Sequence, residues 1–266
     1  MKISSVDTEI FYEVLGDGPA VVLLHAFPMN HHLWRPVAER LATRYRVVLP
    51  DLRGMGESGV GEGPATMEKH ATDLLRVCEA AGVRKAVFAG VSLGGYVLFE
   101  FWRRCRERVS ALILADTRAP ADTDPVRASR LQAAEQVEKQ GPAGYLETFL
   151  PKLIGPTTQS NRPDLVGEMK RIAATSTAAG IAAVQRGMAG RPDSVSTLRT
   201  IDVLTLLLFG EEDTASPIVE GELMQREIAD SRLYSIPHAG HLAIFEQSAA
   251  AHDLIRRFLE EIPKID

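Results

Sequence analysis

Gly90-Val91-Ser92-Leu93-Gly94-Gly95 sets a serine between glycines at a spacing that suits a sharp turn. A side chain at either flanking glycine would collide with neighbouring backbone, so small residues there hold the Ser92 hydroxyl outward. A serine hydroxyl is a weak nucleophile and needs a base. Among seven histidines, His241 is the expected base, because Ala239-Gly240-His241-Leu242 directly follows a β-like run. His25 ends an early apolar run and is expected to order its loop through its ring nitrogens. His31 and His32 fall in a polar loop, and His70 and His252 in helical patterns. His238 lies near His241 without a glycine before it. An imidazole is held in one tautomer by an acid. Asp213, in Gly210-Glu211-Glu212-Asp213, is the favoured acid. Asp116, in Leu114-Ala115-Asp116-Thr117, is its rival, with Glu211 and Glu212 as further alternatives. Acyl transfer also needs donors for a developing oxyanion. The backbone N–H groups of Leu93 and of Phe27, in His25-Ala26-Phe27-Pro28, are the expected donors; Pro28 has no N–H to offer.

Such a constellation requires several strands that end at one edge. Apolar runs at Ala20 to Leu24, Arg46 to Leu49, Ala86 to Val91, Ala111 to Ala115 and Val203 to Phe209 predict strands covered on both faces. Lys2 to Val6 and Glu9 to Val14 predict two opening strands, with a turn at Gly16-Asp17-Gly18-Pro19. Leu233 to Ile236 is a weaker last strand. Thr66 to Ala81 places Met67, Ala71, Leu74, Cys78 and Ala81 on one helical face, which makes Cys78 a core residue. Leu93 to Arg106, Ile218 to Ala229 and Ala249 to Ile262 are further helices. Ser92 then stands before a helix N-terminus, which favours negative charge on an oxyanion. Alternating strands and helices predict an α/β fold with a mostly parallel, eight-stranded sheet and helices on both faces.

From about Arg118 to Arg199 no strand is predicted. Helical stripes there break at Gly141-Pro142, Gly155-Pro156, Arg162-Pro163 and Arg191-Pro192. The chain therefore divides into a core (1–117 and 200–266) and an inserted helical cap (118–199). Phe27, Tyr96, Phe149, Met188 and Leu242 are the expected pocket residues. The cap shows no basic cluster along its sequence, an argument against strongly anionic substrates.

Composition sets the outer limits. The chain has 266 residues, 45% of them hydrophobic and 24% charged, with a net charge of −5. That balance gives no footprint for nucleic acid. No apolar run reaches the ~18 residues of a membrane span. The start of the chain lacks the apolar segment of a signal peptide, so a cytoplasmic protein is expected. Two cysteines outside any Cys-x-x-Cys pair predict neither a disulfide framework nor a structural zinc site. No metal or other cofactor is expected, and oligomeric state is open.

Together these residues resemble the α/β-hydrolase family over nearly the whole chain. The likeness is to its small capped bacterial carboxylesterases and to the related enol-lactonase and cofactor-free perhydrolase groups. Pro50-Asp51-Leu52-Arg53-Gly54-Met55-Gly56-Glu57-Ser58 is similar to the family's D-x-R-G-x-G-x-S loop, and Ile236-Pro237-His238-Ala239-Gly240-His241 to its histidine loop. The chain order Ser92, Asp213, His241 is also the family's. Serine at position 92 sets the chain apart from haloalkane dehalogenases and epoxide hydrolases, which need a carboxylate there, and from dienelactone hydrolases, which use cysteine. Three positions depart from the common pattern. Ala26 replaces a glycine of the oxyanion loop, which would cost about 1 kcal/mol or more if that position needed positive φ. Leu204 stands where proline often opens a strand. Ser248 stands where proline often follows Glu-Gln, and is expected to cap the last helix. The resemblance implies a carboxylesterase acting on small-molecule esters of short to medium acyl chain. A lactonase is the enzymatic alternative, with perhydrolysis as a side activity. A ligand receptor or catalytically silent scaffold is the non-enzymatic one.

Overall fold

The computed structural model describes residues 1–262, so the last four residues of the expected 200–266 core part lie outside the described residues. One sheet contains β1 (Lys2–Ser4), β2 (Glu9–Leu15), β3 (Ala20–Leu24), β4 (Arg46–Pro50), β5 (Ala86–Val91), β6 (Val109–Ala115), β7 (Thr205–Gly210) and β8 (Ser231–Ile236). Their spatial order is β1-β2-β4-β3-β5-β6-β7-β8. Strand β2 runs antiparallel to both neighbours, and all other neighbouring pairs are parallel. Every residue of β5 and β7 is buried. That is the pattern of strands with helices over both faces, and it explains their apolar sequence, broken only by Thr205 at the start of β7. Strand β8 has one neighbour and leaves Arg232 and Tyr234 exposed, which accounts for its weaker signal.

Helices α1 (Arg35–Leu41), α2 (Met67–Ala80) and α3 (Leu93–Cys105) belong to the first half of the sheet. Helix α2 begins where the Thr66 hydroxyl accepts the Lys69 N–H at 3.3 Å. It buries Met67, Ala71, Leu74 and Cys78 on the expected face, and packs against α3. Six helices lie between β6 and β7: α4 (Asp124–Gln140), α5 (Pro142–Phe149), α6 (Pro156–Asn161), α7 (Pro163–Ala173), α8 (Ala178–Ala189) and α9 (Val195–Leu198). Helices α5, α6 and α7 each start at a proline, whose missing N–H costs nothing in the first turn. Helix α4 packs along α8. Then come α10 (Ile218–Glu227), α11 (Ala243–Glu246) and α12 (Ser248–Glu261), the last packing against α1.

Two local readings change. His31 and His32 lie not in a polar loop but in a 3-10 turn, His31–Trp34, leading into α1. His31 is buried because its ring Nδ1 and its backbone N–H both meet Asp51 Oδ1, at 2.8 and 2.7 Å. Ser248 is the first residue of α12 rather than its cap. Gln247 holds the cap position, and no side chain there accepts a helix N–H.

Candidate active site

Parallel registry brings the expected site residues to one edge of the sheet. Val91 pairs with Ala115, Ala115 with Leu208, and Gly210 with Ile236, so β5, β6, β7 and β8 end side by side. Ser92 follows β5 directly with φ 51° and ψ −110°, in a region that L-residues avoid. Its neighbours hold it there. Its N–H donates to Ala115 O at 3.0 Å, and its carbonyl accepts from Gly95 N–H and the Thr117 hydroxyl. The turn closes because Gly90 and Gly94 lack side chains. A Cβ on Gly90 would stand 2.5 Å from the Gly94 carbonyl carbon, and one on Gly94 would stand 2.6 Å from the Leu24 oxygen.

The Ser92 hydroxyl lies 2.8 Å from His241 Nε2, and His241 Nδ1 lies 2.8 Å from Asp213 Oδ2. Asp213 and His241 are both about 5% exposed. The other oxygen, Asp213 Oδ1, accepts the N–H groups of Ala215 (2.7 Å) and Ser216 (3.0 Å). The carboxylate is thereby fixed in rotation, with one oxygen left for the imidazole.

Asp116 has a different task. It is fully buried at the end of β6, and its two oxygens accept the N–H groups of Gly210 (2.9 Å) and Ala243 (3.0 Å). It ties the end of β7 to the start of α11 and makes no hydrogen bond to His241. Burial, and then the nearby charge of Asp213, push its carboxyl well above the usual carboxylate range. Glu212 accepts from the Thr157 N–H and hydroxyl. Buried Glu246, which the sequence reading passed over, accepts from Gly155, Gly240 and Leu242 N–H groups at 2.9, 2.8 and 3.3 Å. These two carboxylates attach the start of α6 to the loops that carry Asp213 and His241. A Glu five residues after His241 was visible in the sequence, but its backbone partners were not.

Leu24 pairs with Gly90, which sets the 25–28 loop beside the serine turn. His25 is fully buried. Its Nδ1 lies 2.9 Å from Ala26 O, and its Nε2 accepts the Leu52 N–H at 2.9 Å. Burial pushes its imidazole below the ordinary value, so it is the neutral ring this pair of contacts requires. The neighbouring loop is fixed in turn by Arg53, wholly buried, which grips Asp73 through two bonds of 2.7 and 2.8 Å and Asp7 through one of 2.8 Å. Ala26 is not among the residues with positive φ, so alanine there carries no left-handed strain. The N–H groups of Phe27 and Leu93 have no hydrogen-bond acceptor among the described residues.

A cavity of about 190 Å³ opens over Ser92 and His241. Of the expected pocket residues, Phe27, Tyr96, Phe149 and Met188 line it. Leu242 does not. It is fully buried in the core at the start of α11, with its N–H turned to Glu246. The expectation of no basic cluster is also corrected: Arg118, Arg130 and Lys152 line the same cavity. They are spread over 34 positions of sequence and meet only when α4 and the turn after α5 fold over the sheet edge. Among the described residues no group of three metal-ligating side chains converges, and no helix is long and apolar enough to cross a membrane.

Known proteins share this architecture. A thermophilic esterase from Thermogutta terrifontis has 38% identity and a TM-score of 0.95, over 98% of each chain. The 3-oxoadipate enol-lactonase 1 of Acinetobacter baylyi is 27% identical over 92% of this chain and 90% of its own. The pimeloyl-[acyl-carrier protein] methyl ester esterase of Chromobacterium violaceum is 29% identical over 95% of this chain and 98% of its own. The profile of the alpha/beta hydrolase fold matches residues 19–248, and the chain belongs to that family.

Proposed function

We infer that the protein is a serine hydrolase that cleaves carboxylic esters of short to medium acyl chain through an acyl-enzyme. The observation that carries this reading is the unbroken chain from Ser92 Oγ through His241 to Asp213, with both links at 2.8 Å. Ser92 Oγ attacks the ester carbonyl while His241 Nε2 takes its proton. Asp213 keeps the Nδ1 proton in place and stabilises the imidazolium. The Phe27 and Leu93 N–H groups receive the oxyanion; losing one such donor costs roughly 10²–10³ in rate. His241 returns its proton to the departing alkoxide, and the alcohol leaves. Water, deprotonated by the same imidazole, then attacks the acyl-enzyme and releases the acid with Ser92 regenerated.

In this reading the segment 118–199 is a cap. It supplies Arg118, Arg130, Phe149, Lys152, Leu153 and Met188 to the cavity wall, while the sheet edge supplies the reacting groups. Two free, buried cysteines fit a reducing compartment, and we place the protein in the cytoplasm. Ser92→Ala tests the chemistry. Turnover of p-nitrophenyl butyrate should fall by at least 10³, and organophosphonate labelling should disappear. Ester turnover near the wild-type rate in that variant overturns the assignment. A lactonase is the second reading, supported by the likeness to an enol-lactonase across nine-tenths of both chains. The same steps would serve, with the alcohol remaining tethered to the acyl group. A kcat/KM ratio strongly favouring simple lactones over open-chain esters of equal length would select it.

A further inference from the structure

The cavity over Ser92 carries charge that ester cleavage alone does not use. Arg118, Arg130 and Lys152 line it, and among the described residues no aspartate or glutamate does. Each cation has a different degree of neutralisation. Arg130 Nε is 2.6 Å from Asp122 Oδ2, and its Nη1 donates to Gln185 Oε1 at 3.2 Å. Asp122 also receives Arg191 Nη2 at 3.0 Å. One buried carboxylate thus serves two guanidiniums and leaves a net positive charge. Burial works to raise the Asp122 pKa, but Arg130 and Arg191 hold it below its ordinary value, so it remains a carboxylate. Arg191 in turn lies over the ring of Tyr96, 4.1 Å from its centre, and Tyr96 is itself part of the cavity wall. Arg118 is less compensated still. It stands two residues past Asp116, at the end of β6, half-buried. Among the described residues no carboxylate comes within 4 Å of it, and its Nε is buried without a hydrogen-bond partner. Lys152 is exposed at the rim and pairs with no carboxylate among the described residues.

A single arginine at a cavity mouth can be explained by a solvated tip on an apolar stem. Three cations around one small cavity, with one held in place by a buried acid and one left with an orphaned N–H, are not explained that way. Mutual repulsion opposes such a cluster unless an anion enters it. Beside Tyr96 and Ser216, the wall is apolar at Phe27, Phe149, Leu153, Met188 and Ala215, which suits a short carbon chain between the charge and the reacting carbonyl.

We propose that Arg118 and Arg130, with Lys152 at the rim, form a subsite for a free carboxylate on the substrate, so that the enzyme favours anionic esters or lactones over neutral ones of equal size. The proposal rests on the serine-hydrolase reading for its turnover consequence, but not for binding. Guanidinium groups recognise carboxylates through charge-assisted, paired hydrogen bonds. A carboxylate held there orients the substrate, and the preference appears in KM and kcat/KM.

Two measurements test it. The first compares kcat/KM for monoethyl glutarate (carboxylate on the acyl side) and acetoxyacetate (carboxylate on the alcohol side) with ethyl butyrate. At low salt at least one anionic ester should be favoured by roughly 10–100-fold, and the ratio should shrink as salt screens the charges. In Arg118→Gln the ratio should fall by roughly 10-fold or more. Should that variant fail to fold, Lys152→Glu, at an exposed position, should lower the ratio in the same direction. The second is a calorimetric titration of the wild-type protein and Arg118→Gln with glutarate. Saturable binding to the wild type that weakens about 10-fold in the variant supports the subsite. Equal turnover of neutral and anionic esters, together with glutarate binding that Arg118→Gln leaves unchanged, overturns it. Binding of inorganic phosphate without binding of glutarate overturns the carboxylate assignment. If no ester is cleaved and an organophosphonate leaves Ser92 unlabelled, the serine-hydrolase reading fails, and the glutarate titration still decides the subsite.

Discussion

Replacing Asp213 with asparagine separates the two acids at the end of the sheet. Asp213 Oδ1 accepts two backbone N–H groups, from Ala215 and Ser216, while Oδ2 faces His241 Nδ1 at 2.8 Å. In Asp213→Asn the amide must choose an orientation. Two fixed donors on one side demand the carbonyl oxygen there, so the NH2 group turns towards His241 Nδ1. Nδ1 must then accept, which moves the imidazole proton to Nε2. That nitrogen can no longer take the proton of the Ser92 hydroxyl 2.8 Å away. The wrong tautomer in a geometrically intact site costs about 10⁴ in kcat where it has been isolated in serine proteases, roughly 5.4 kcal/mol of activation free energy. A loss of 10³–10⁴ in kcat/KM is expected here, read with p-nitrophenyl butyrate at pH 8. The unfolding temperature should barely move, because the two backbone bonds survive. Asp116→Asn is the paired control. One of its two N–H donors would face an NH2 group, so the fold should lose about 1–3 kcal/mol. Its kcat should stay within about 10-fold of wild type, because the His241–Asp213 contact is untouched. Near-normal turnover in Asp213→Asn with a collapse in Asp116→Asn would refute the assignment of the acid.

Three further outcomes follow from the packing. Gly94→Ala, whose Cβ would meet the Leu24 oxygen at 2.6 Å, should cost about 1–3 kcal/mol in urea unfolding and slow ester turnover by shifting the serine turn. Glu246→Ala leaves three buried N–H groups without an acceptor, and should lower stability by at least 1–3 kcal/mol by calorimetry. His70 is fully buried, and burial followed by the charge of Arg53 pushes its imidazole down to about 3 from an ordinary 6.5. Above pH 6.5 neither the folded nor the unfolded chain protonates it. Between 6.5 and about 3 only the unfolded chain does, so stability falls with falling pH, by about 1.4 kcal/mol per unit. His70→Leu should flatten that slope in chemical unfolding measured from pH 7 to 5; an unchanged slope would assign it to other groups.

Much of the fold was readable because the signals were local. A strand buried on both faces has few polar positions to spare, so β3 and β5 stand out as unbroken apolar runs and β7 as one broken only by Thr205. Proline at a first helical position marks the starts of α5, α6 and α7 from sequence alone. The serine turn is equally local, since the collision that excludes a Cβ at Gly90 involves Gly94, four residues away. The two acids show where locality ends. Both Asp116 and Asp213 follow strands that stop at the same edge, and nothing within either segment says which one turns towards His241. The deciding contacts are non-local: Asp116 is occupied by Gly210 and Ala243, 94 and 127 residues away. Short α1 was missed for a related reason. Its buried face, Val37, Ala38 and Leu41, covers too few turns to show a helical period.

The charge of the cavity is the clearest case of information that sequence order hides. Read along the chain, Arg118, Arg130, Lys152 and Arg191 are four separate cations among acids, and the whole chain is acidic. In space Asp122 draws Arg130 and Arg191 together, while Arg118 arrives from the end of β6 and Lys152 from the turn after α5. The acid that gathers Arg130 and Arg191 also leaves that pair with one uncompensated positive charge, because a single carboxylate cannot neutralise both partners. Asp122→Asn therefore makes a sharp test of the arrangement. The variant should weaken the fold, since two guanidiniums lose an ionic partner whose side chain is about 1% exposed. It should also raise the net positive charge facing the cavity by one. If anion recognition depends on charge alone, glutarate should bind more tightly to this variant. If it depends on Arg130 being held in position, binding should weaken despite the added charge. The tight geometry of the Arg130–Asp122 contact, 2.6 Å between Nε and Oδ2, favours the second result. The expected outcome is weaker glutarate binding with a lower unfolding temperature, and tighter binding would show that Arg130 needs no such support.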